Sequence, residues 1–200
     1  MFKALIGNLF ESEAQTFVNT VNCIGVMGKG VAFEFKKRYP KMFEDYAERC
    51  DRGEVRLGRP YLYQDASGAK IVNFPTKSHW RAASRLADID RGLDYFVAHV
   101  KQWGITSVAF PPLGCGNGGL EWSEAGPLLY GKLHNLGIDV EVYAPYGTPR
   151  NELTDEFLSA PSQMSLAGKG RRAEKFNPEW VALVEVVREL SGQLDRKSVV

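Results

Sequence analysis

Cysteine is scarce in this chain. The three present in 200 residues, Cys23, Cys50 and Cys115, leave one unpaired in any scheme, and no two stand at CxxC spacing. A disulfide framework or zinc knuckle is thereby disfavoured, and a reducing cytoplasm is the expected location. No cluster of metal-ligand residues occurs, and neither a metal nor a cofactor is expected. Long apolar runs are also missing. The opening Met1-Phe-Lys-Ala-Leu-Ile6 is too short for a signal peptide, and nothing approaches membrane-spanning length, so no membrane partner is expected. Nor is there an excess of one charge, because 25 basic and 24 acidic residues leave a net charge of +1. Domains that hold long duplex DNA by charge alone are clearly basic. That class is excluded, whereas a small nucleic-acid site is not. No internal repeat or low-complexity tract stands out.

Glycine, by contrast, is concentrated in two places: Gly25-Val-Met-Gly-Lys-Gly30 and, about 90 residues later, Gly114-Cys-Gly-Asn-Gly-Gly119. Each follows a segment that reads as a buried strand. Glycine costs backbone entropy and is placed where the main chain approaches something closely or takes positive φ. Two such loops can flank one elongated anionic ligand, their N–H groups donating to its phosphates. The first loop also reads as a tight turn plus a helix start, since its spacing is not that of a dinucleotide fingerprint. Asn19 and Asn22 beside it are either turn formers or hydrogen-bond partners of ribose hydroxyls. The second loop, within Pro111-Pro-Leu-Gly-Cys-Gly-Asn-Gly-Gly-Leu120, is the sharper signal. Cys115 in it has no neighbouring His or acid to make it a nucleophile and reads as a small packing residue.

Between and around these loops, apolar runs alternate with helical patterns. Strands are expected at 3–6, 16–21, 107–111 and 139–144, and a hairpin at 60–64 and 70–74. Helices are expected at 30–38, 42–52 with Pro40 at the first position, 84–102 capped by Ser84, and 123–136. Such alternation implies an α/β fold with three layers and a mixed central sheet, in which ligands sit outside the carboxyl ends of strands. Residues 1–147 form this domain. Residues 148–177 turn polar and small, with room for a helical turn near 152–158, and read as a linker. Residues 178–200 carry Trp180, Leu183, Val184, Val187 and Leu190 at helical spacing. This amphipathic C-terminal extension must dock its stripe on something.

A third element, Asn73-Phe-Pro-Thr-Lys77-Ser-His79-Trp80-Arg81, runs from a strand into a loop. It reads as a solvated charged loop with one aromatic packed down, or as a substrate rim. In the second case Lys77 is a nucleophile or a charge stabiliser, and His79, Trp80 and Arg81 supply an imidazole, an indole for base stacking and a cation.

Taken together, Gly7-Asn-Leu9, Asn19-Thr-Val-Asn22, Gly25 to Val31, Asn73 to Arg81 and Pro111 to Leu120 resemble the macrodomain family, which binds ADP-ribose. Within it they are most similar to the branch containing the terminal ADP-ribose glycohydrolase and the DarG-type antitoxins. The latter remove ADP-ribose from thymidine in DNA modified by a DarT-type toxin. The resemblance implies roles. Met27, Gly28, Gly30 and Val31 line the distal ribose and diphosphate, with Asn19 and Asn22 near that ribose. Gly114, Cys115, Gly116, Asn117 and Gly118 cradle the phosphates. Asn8 and Leu9 lie at the adenine, where many macrodomains have an aspartate, and Tyr143 stacks on the base. Lys77 is the catalytic residue at the anomeric carbon, while His79, Trp80 and Arg81 grip the released base and its strand. The protein-directed relative pairs that lysine with an aspartate of the second loop. Here the matching stretch is Asn117-Gly118-Gly119, which fits the DNA-directed relatives better.

The expected function is therefore that of a DNA ADP-ribosyl glycohydrolase antitoxin. Its expected partners are ADP-ribosylated single-stranded DNA, ADP-ribose and a DarT-type toxin engaged by the region beginning at residue 178. A hydrolase of ADP-ribosylated protein and a non-catalytic ADP-ribose reader are the alternatives.

Overall fold

A computed structural model describes residues 1–65 and 68–160. Six strands form one sheet: β1 (Phe2–Leu5), β2 (Thr16–Asn22), β3 (Tyr61–Gln64), β4 (Lys70–Lys77), β5 (Ser107–Phe110) and β6 (Asp139–Tyr143). Their spatial order is β1-β6-β5-β2-β4-β3. All neighbours run parallel except β3, which forms an antiparallel hairpin with β4. The sheet is thus mixed, as expected. The helices are α1 (Gly30–Arg38), α2 (Pro40–Asp51), α3 (Leu86–His99), α4 (Trp122–Leu133) and α5 (Asp155–Ser159). Among the described residues no helix is long and apolar enough to cross a membrane.

Successive strand residues point to opposite faces, and both faces are buried, as parallel sheets require. On one face Val18, Val72, Phe74, Val108, Phe110, Val140 and Val142 pack with Ile89, Leu93 and Phe96 of α3 and Leu129 and Leu133 of α4. On the other, Val21, Ile71, Ala109 and Tyr143 pack with Phe35, Met42 and Tyr46 from α1 and α2. Two cores on two faces make the three layers.

Several boundaries differ from the sequence reading. Ser84 does not cap α3. The helix starts at Leu86 after Arg85, with no side-chain cap, and Ser84 lies buried elsewhere. The helix ends at His99 and unwinds through turns to Gly104, where a Gly interrupts the apolar period. β4 continues past Phe74 to Lys77, so the lysine is the last residue of a strand. α4 stops at Leu133.

The compact body also extends beyond 147. The Trp122 indole donates to Glu152 O at 3.2 Å, Thr154 caps α5, and Leu158 is buried in the first core. The rest of the expected linker, residues 161–177, and the expected helix over 178–200 lie outside the described residues.

One glycine sets how closely α3 approaches the sheet. A Cβ on Gly92 would stand 2.4 Å from Phe74 Cζ and 2.7 Å from its Cε1, inside any allowed contact. Gly92→Ala gains up to about 1 kcal/mol of helix propensity. Overpacking costs about 1–3 kcal/mol, and here it is aimed at a ring that cannot turn away. The variant is expected to be less stable, with a lower urea midpoint at unchanged m. A higher midpoint would show that the helix shifts freely.

Candidate active site

β2 and β5 are adjacent and parallel, yet the chain leaving β2 enters α1 on one face, while that leaving β5 enters α4 on the other. Diverging connections open a crevice at the carboxyl ends of the two strands, the switch-point position at which open α/β sheets bind ligands. The two glycine loops are these two connections. β4 flanks β2 on its other side and brings Lys77 to the same end, opposite Asn22 in the register. The result is one cleft of about 630 Å³.

The first loop takes its shape from Asn22. Its Oδ1 accepts from the N–H groups of Ile24 (3.0 Å) and Val26 (3.4 Å), and its Nδ2 donates to Val26 O at 2.6 Å. The buried Tyr46 hydroxyl donates to Asn22 O at 2.8 Å and locks the turn onto α2. One amide hydrogen of Asn22 is left for the cleft. The loop ends at the amino terminus of α1, where Lys29 supplies no side-chain cap. The first N–H groups of a helix have no partner within it. Those of Gly30, Val31 and Ala32 stand at the cleft wall, where the helix dipole favours an anion.

The second loop rests against Ser84. The Ser84 N–H donates to Gly118 O at 2.9 Å, and a Cβ on Gly118 would come within 2.4 Å of Ser84 Oγ. Gly114, at φ +77°, would bring a Cβ to 2.5 Å from Leu120 Cδ1. These glycines let the loop sink onto its support while its other side faces the cleft. Across the cleft the loops nearly touch, since a Cβ on Gly30 would lie 3.3 Å from Asn117 Nδ2.

Lys77 Nζ donates to Asn117 O at 3.0 Å. Burial alone moves its pKa below the ordinary lysine value, and no carboxylate pairs with it among the described residues. Beside it Trp80 is 44 % exposed, with the His79 ring stacked on one side at 5.5 Å and the Arg81 guanidinium 4.4 Å from its centroid. Burial, with the carboxylates of Glu121 and Glu124, pushes the Cys115 thiol up to about 11. It is neutral at pH 7, which suits packing rather than attack.

Of the residues singled out from sequence, the cleft gathers Asn22, Gly28, Gly30 and Val31 on one side. It gathers Gly114, Cys115, Gly116, Asn117 and Gly118 on the other, with Lys77, Trp80 and Arg81 at the end. His79 stands behind Trp80, its Nδ1 accepting from the Arg81 N–H.

Two of the residues singled out, Asn19 and Met27, lie beneath the cleft lining. Asn19 is wholly buried and donates to Asn73 Oδ1 at 2.9 Å across the β2–β4 pair. Asn73 in turn donates to the Tyr61 hydroxyl at 3.1 Å. Met27 is buried too, its sulfur 3.9 Å from Asn19 Nδ2. Asn19 lies with the odd-numbered residues of β2 on the side of α1 and α2, where its amide meets the sulfurs of Met27 and Met42 beneath the first loop. Asn8, Leu9 and Tyr143 gather apart from the cleft lining, at the ends of β1 and β6. There Tyr143 packs over Gly7 and Asn8 accepts from the Phe10 N–H at 3.1 Å. Sequence reasoning missed Ser84 as the support of the second loop. It also missed Thr20, Lys29 and Thr76, which line the cleft. Their adjacency to Asn22, Gly30 and Lys77 was the available signal.

Lysine environments in this molecule diverge by sign. Lys77 is lowered by burial, whereas Lys132, bridged to Asp90 and Asp94, is raised. In an NMR pH titration of the side-chain nitrogens, Lys77 is expected to lose its proton at lower pH than Lys132. The reverse order would mean that an acidic partner holds Lys77 charged and overrides its burial.

A sequence model of the Macro domain family matches residues 18–129. The chain is 47 % identical over 148 residues to a DNA ADP-ribosyl glycohydrolase of Mycobacterium tuberculosis, an alignment covering 72 % of this chain and 42 % of the relative. It thus spans about two-fifths of the length of these curated relatives. Among solved structures, the macrodomain of Mycobacterium tuberculosis DarG superposes with a TM-score of 0.70 at 44 % identity, covering 72 % of this chain and 98 % of that one. Thermosipho africanus DarTG in complex with ADP-ribose gives a TM-score of 0.74 at 37 % identity, covering 79 % of this chain and 46 % of that one. A two-faced mixed sheet with its cleft between two glycine loops, joined to a family match across more than half its length, makes this chain a member of the macrodomain family.

Proposed function

We propose that this chain hydrolyses the glycosidic bond between ADP-ribose and a thymine ring nitrogen in single-stranded DNA, and so reverses a DarT-type toxin. The observation that carries this reading is the Lys77 ammonium, held 3.0 Å from Asn117 O in a cleft whose second loop has no acid. The names of the relatives support it. The diphosphate lies at the α1 amino terminus, between Gly28–Val31 and Gly114–Gly118, and the distal ribose lies over Asn22. The adenine extends toward Asn8, Leu9 and Tyr143. Thymine reaches the Trp80 face, gripped with Arg81 and His79.

The reaction breaks the C–N bond heterolytically. The electron pair leaves with the base, and the ribose acquires oxocarbenium character. Water adds to the anomeric carbon, and its proton replaces ADP-ribose on the base, so atoms and charge balance. Fixing the diphosphate supplies the entropic part of the rate. The Lys77 ammonium opposes the negative charge that builds on the departing base. Burial brings it closer to proton donation than an ordinary lysine. No carboxylate stands by to resolve a lysyl–sugar adduct, which favours this role over nucleophilic attack. The setting proposed is the cytoplasm, where the cell's DNA is found, and residues 178–200 take part in engaging the toxin.

Lys77→Ala is expected to lower release of ADP-ribose from a modified single-stranded oligonucleotide by at least about a hundredfold. Calorimetry should show free ADP-ribose still bound. Near-normal turnover in that variant would remove Lys77 from the chemistry. The pH profile separates the two roles. An ammonium that must stay charged is lost as pH rises through its lowered pKa, so the rate is expected to fall at alkaline pH, below the ordinary lysine midpoint. A limb rising with pH would assign Lys77 as nucleophile instead.

A further inference from the structure

Basic and acidic residues nearly cancel over the whole chain, yet arginines concentrate along one path leaving the cleft. Arg81 lies in the cleft wall. Arg85, four residues on, is exposed and bonds the buried Asp88 at 2.7 Å. Arg91, also exposed, bonds the other oxygen of the same carboxylate. The Arg91 side chain lies against Gly58, whose Cβ, if it had one, would stand 3.2 Å from Arg91 Cβ. Gly58 sits in the turn whose ends, Arg56 and Arg59, pair as an isolated bridge and are both exposed. This turn belongs beside the reactive end of the sheet. The Leu57 backbone hydrogen-bonds the Cys23 thiol, and the Cys23 N–H donates to Ser78 O at 3.3 Å, next to Lys77.

Of these five guanidiniums only Arg85 and Arg91 bond a carboxylate, that of Asp88, leaving four unbalanced positive charges among the described residues. Arg59 and Arg81 have no acidic partner among the described residues. Among the described residues Arg56 donates only to Gly53 O, at 3.0 Å. Glu54, the nearest acid in sequence, is taken up by Arg49 and Arg52. Guanidiniums in series present planar forks that suit phosphate oxygens. Asp88 orients two of them without neutralising both.

We infer that Arg56, Arg59, Arg85 and Arg91 form a track for the phosphodiester backbone of single-stranded DNA, continuing from the Trp80–Arg81 platform away from the cleft. This rests on the proposed DNA substrate and adds to it the route of the strand. Arg81 and Trp80 hold the reacting base, and the arginine turn holds nucleotides further along. The track reads charge rather than bases, because guanidinium–phosphate contacts carry no sequence information.

The test uses the full 200-residue chain and an unmodified single-stranded 12-mer, followed by fluorescence anisotropy. Arg56→Gln/Arg59→Gln is expected to weaken binding about tenfold at low salt. It should also flatten the slope of log K against log salt by about 1.4, the value for two lost single-strand phosphate contacts. Arg56→Lys/Arg59→Lys is expected to restore most of both. Undetectable binding by the unaltered chain overturns the inference. So does equal binding by the glutamine variant, or equal loss in the glutamine and lysine variants, which would reflect the shape of the turn. Release of ADP-ribose from a modified single-stranded oligonucleotide by the unaltered chain tests the catalytic reading separately. Failure there removes the proposed function and leaves the track to be judged on anisotropy.

Discussion

The pairing of β2 with β5 is the constraint on which the rest of the structure depends. Two parallel neighbours whose connections depart to opposite faces cannot close the gap above their carboxyl ends. Everything chemical in the molecule is built around that gap. The loop after β2 brings the uncapped start of α1 to it, and the loop after β5 folds down from the other side. β4, bonded to β2 along its length, delivers Lys77 to the same level. Moving β5 to a sheet edge would leave each of these features intact and separate them from one another.

The floor of the gap is held by polar groups inside an otherwise apolar layer. Asn19, Asn73 and Tyr61 form a cross-strand chain of hydrogen bonds through three adjacent strands. Tyr46 ties Asn22 to α2. Burial raises the pKa of both tyrosines above the ordinary phenol value, so both hydroxyls keep their protons throughout the physiological range. A buried amide without partners would be costly. Here each amide NH2 donates to a neighbour, which fixes the register of β2 against β4 and with it the height of Lys77, while Asn19 Oδ1 accepts from no group among the described residues.

Much of this was legible in the sequence. Strand–helix alternation and the two glycine loops gave the layers and the location of the cleft. The strand running into Lys77 gave its rigid placement, and the missing acid of the second loop reappears as a backbone partner, Asn117 O. What was not legible depended on which face a side chain takes. Asn19 and Asn22 are equivalent as amides near a strand end, but they differ by an odd number of positions, and the irregular pairing between Val21 and Asn22 breaks the simple alternation. Ser84 looked like a helix cap because Ser favours that position. Tertiary packing against Gly118 claimed it first. The continuation of the body beyond residue 147 was hidden because the segment is polar, and its few apolar contacts, chiefly Leu158, are spaced too widely to show a period.

The segment between β4 and α3 is fastened to the second loop at two points: Lys77 Nζ reaches Asn117 O, and the Ser84 N–H reaches Gly118 O. One clasp is a side chain and the other is main chain. Losing the amine therefore leaves the frame closed by its second clasp, so architecture and reactivity are carried by different bonds. A rim braced in this way keeps its width by main chain, whatever side chain stands at position 77.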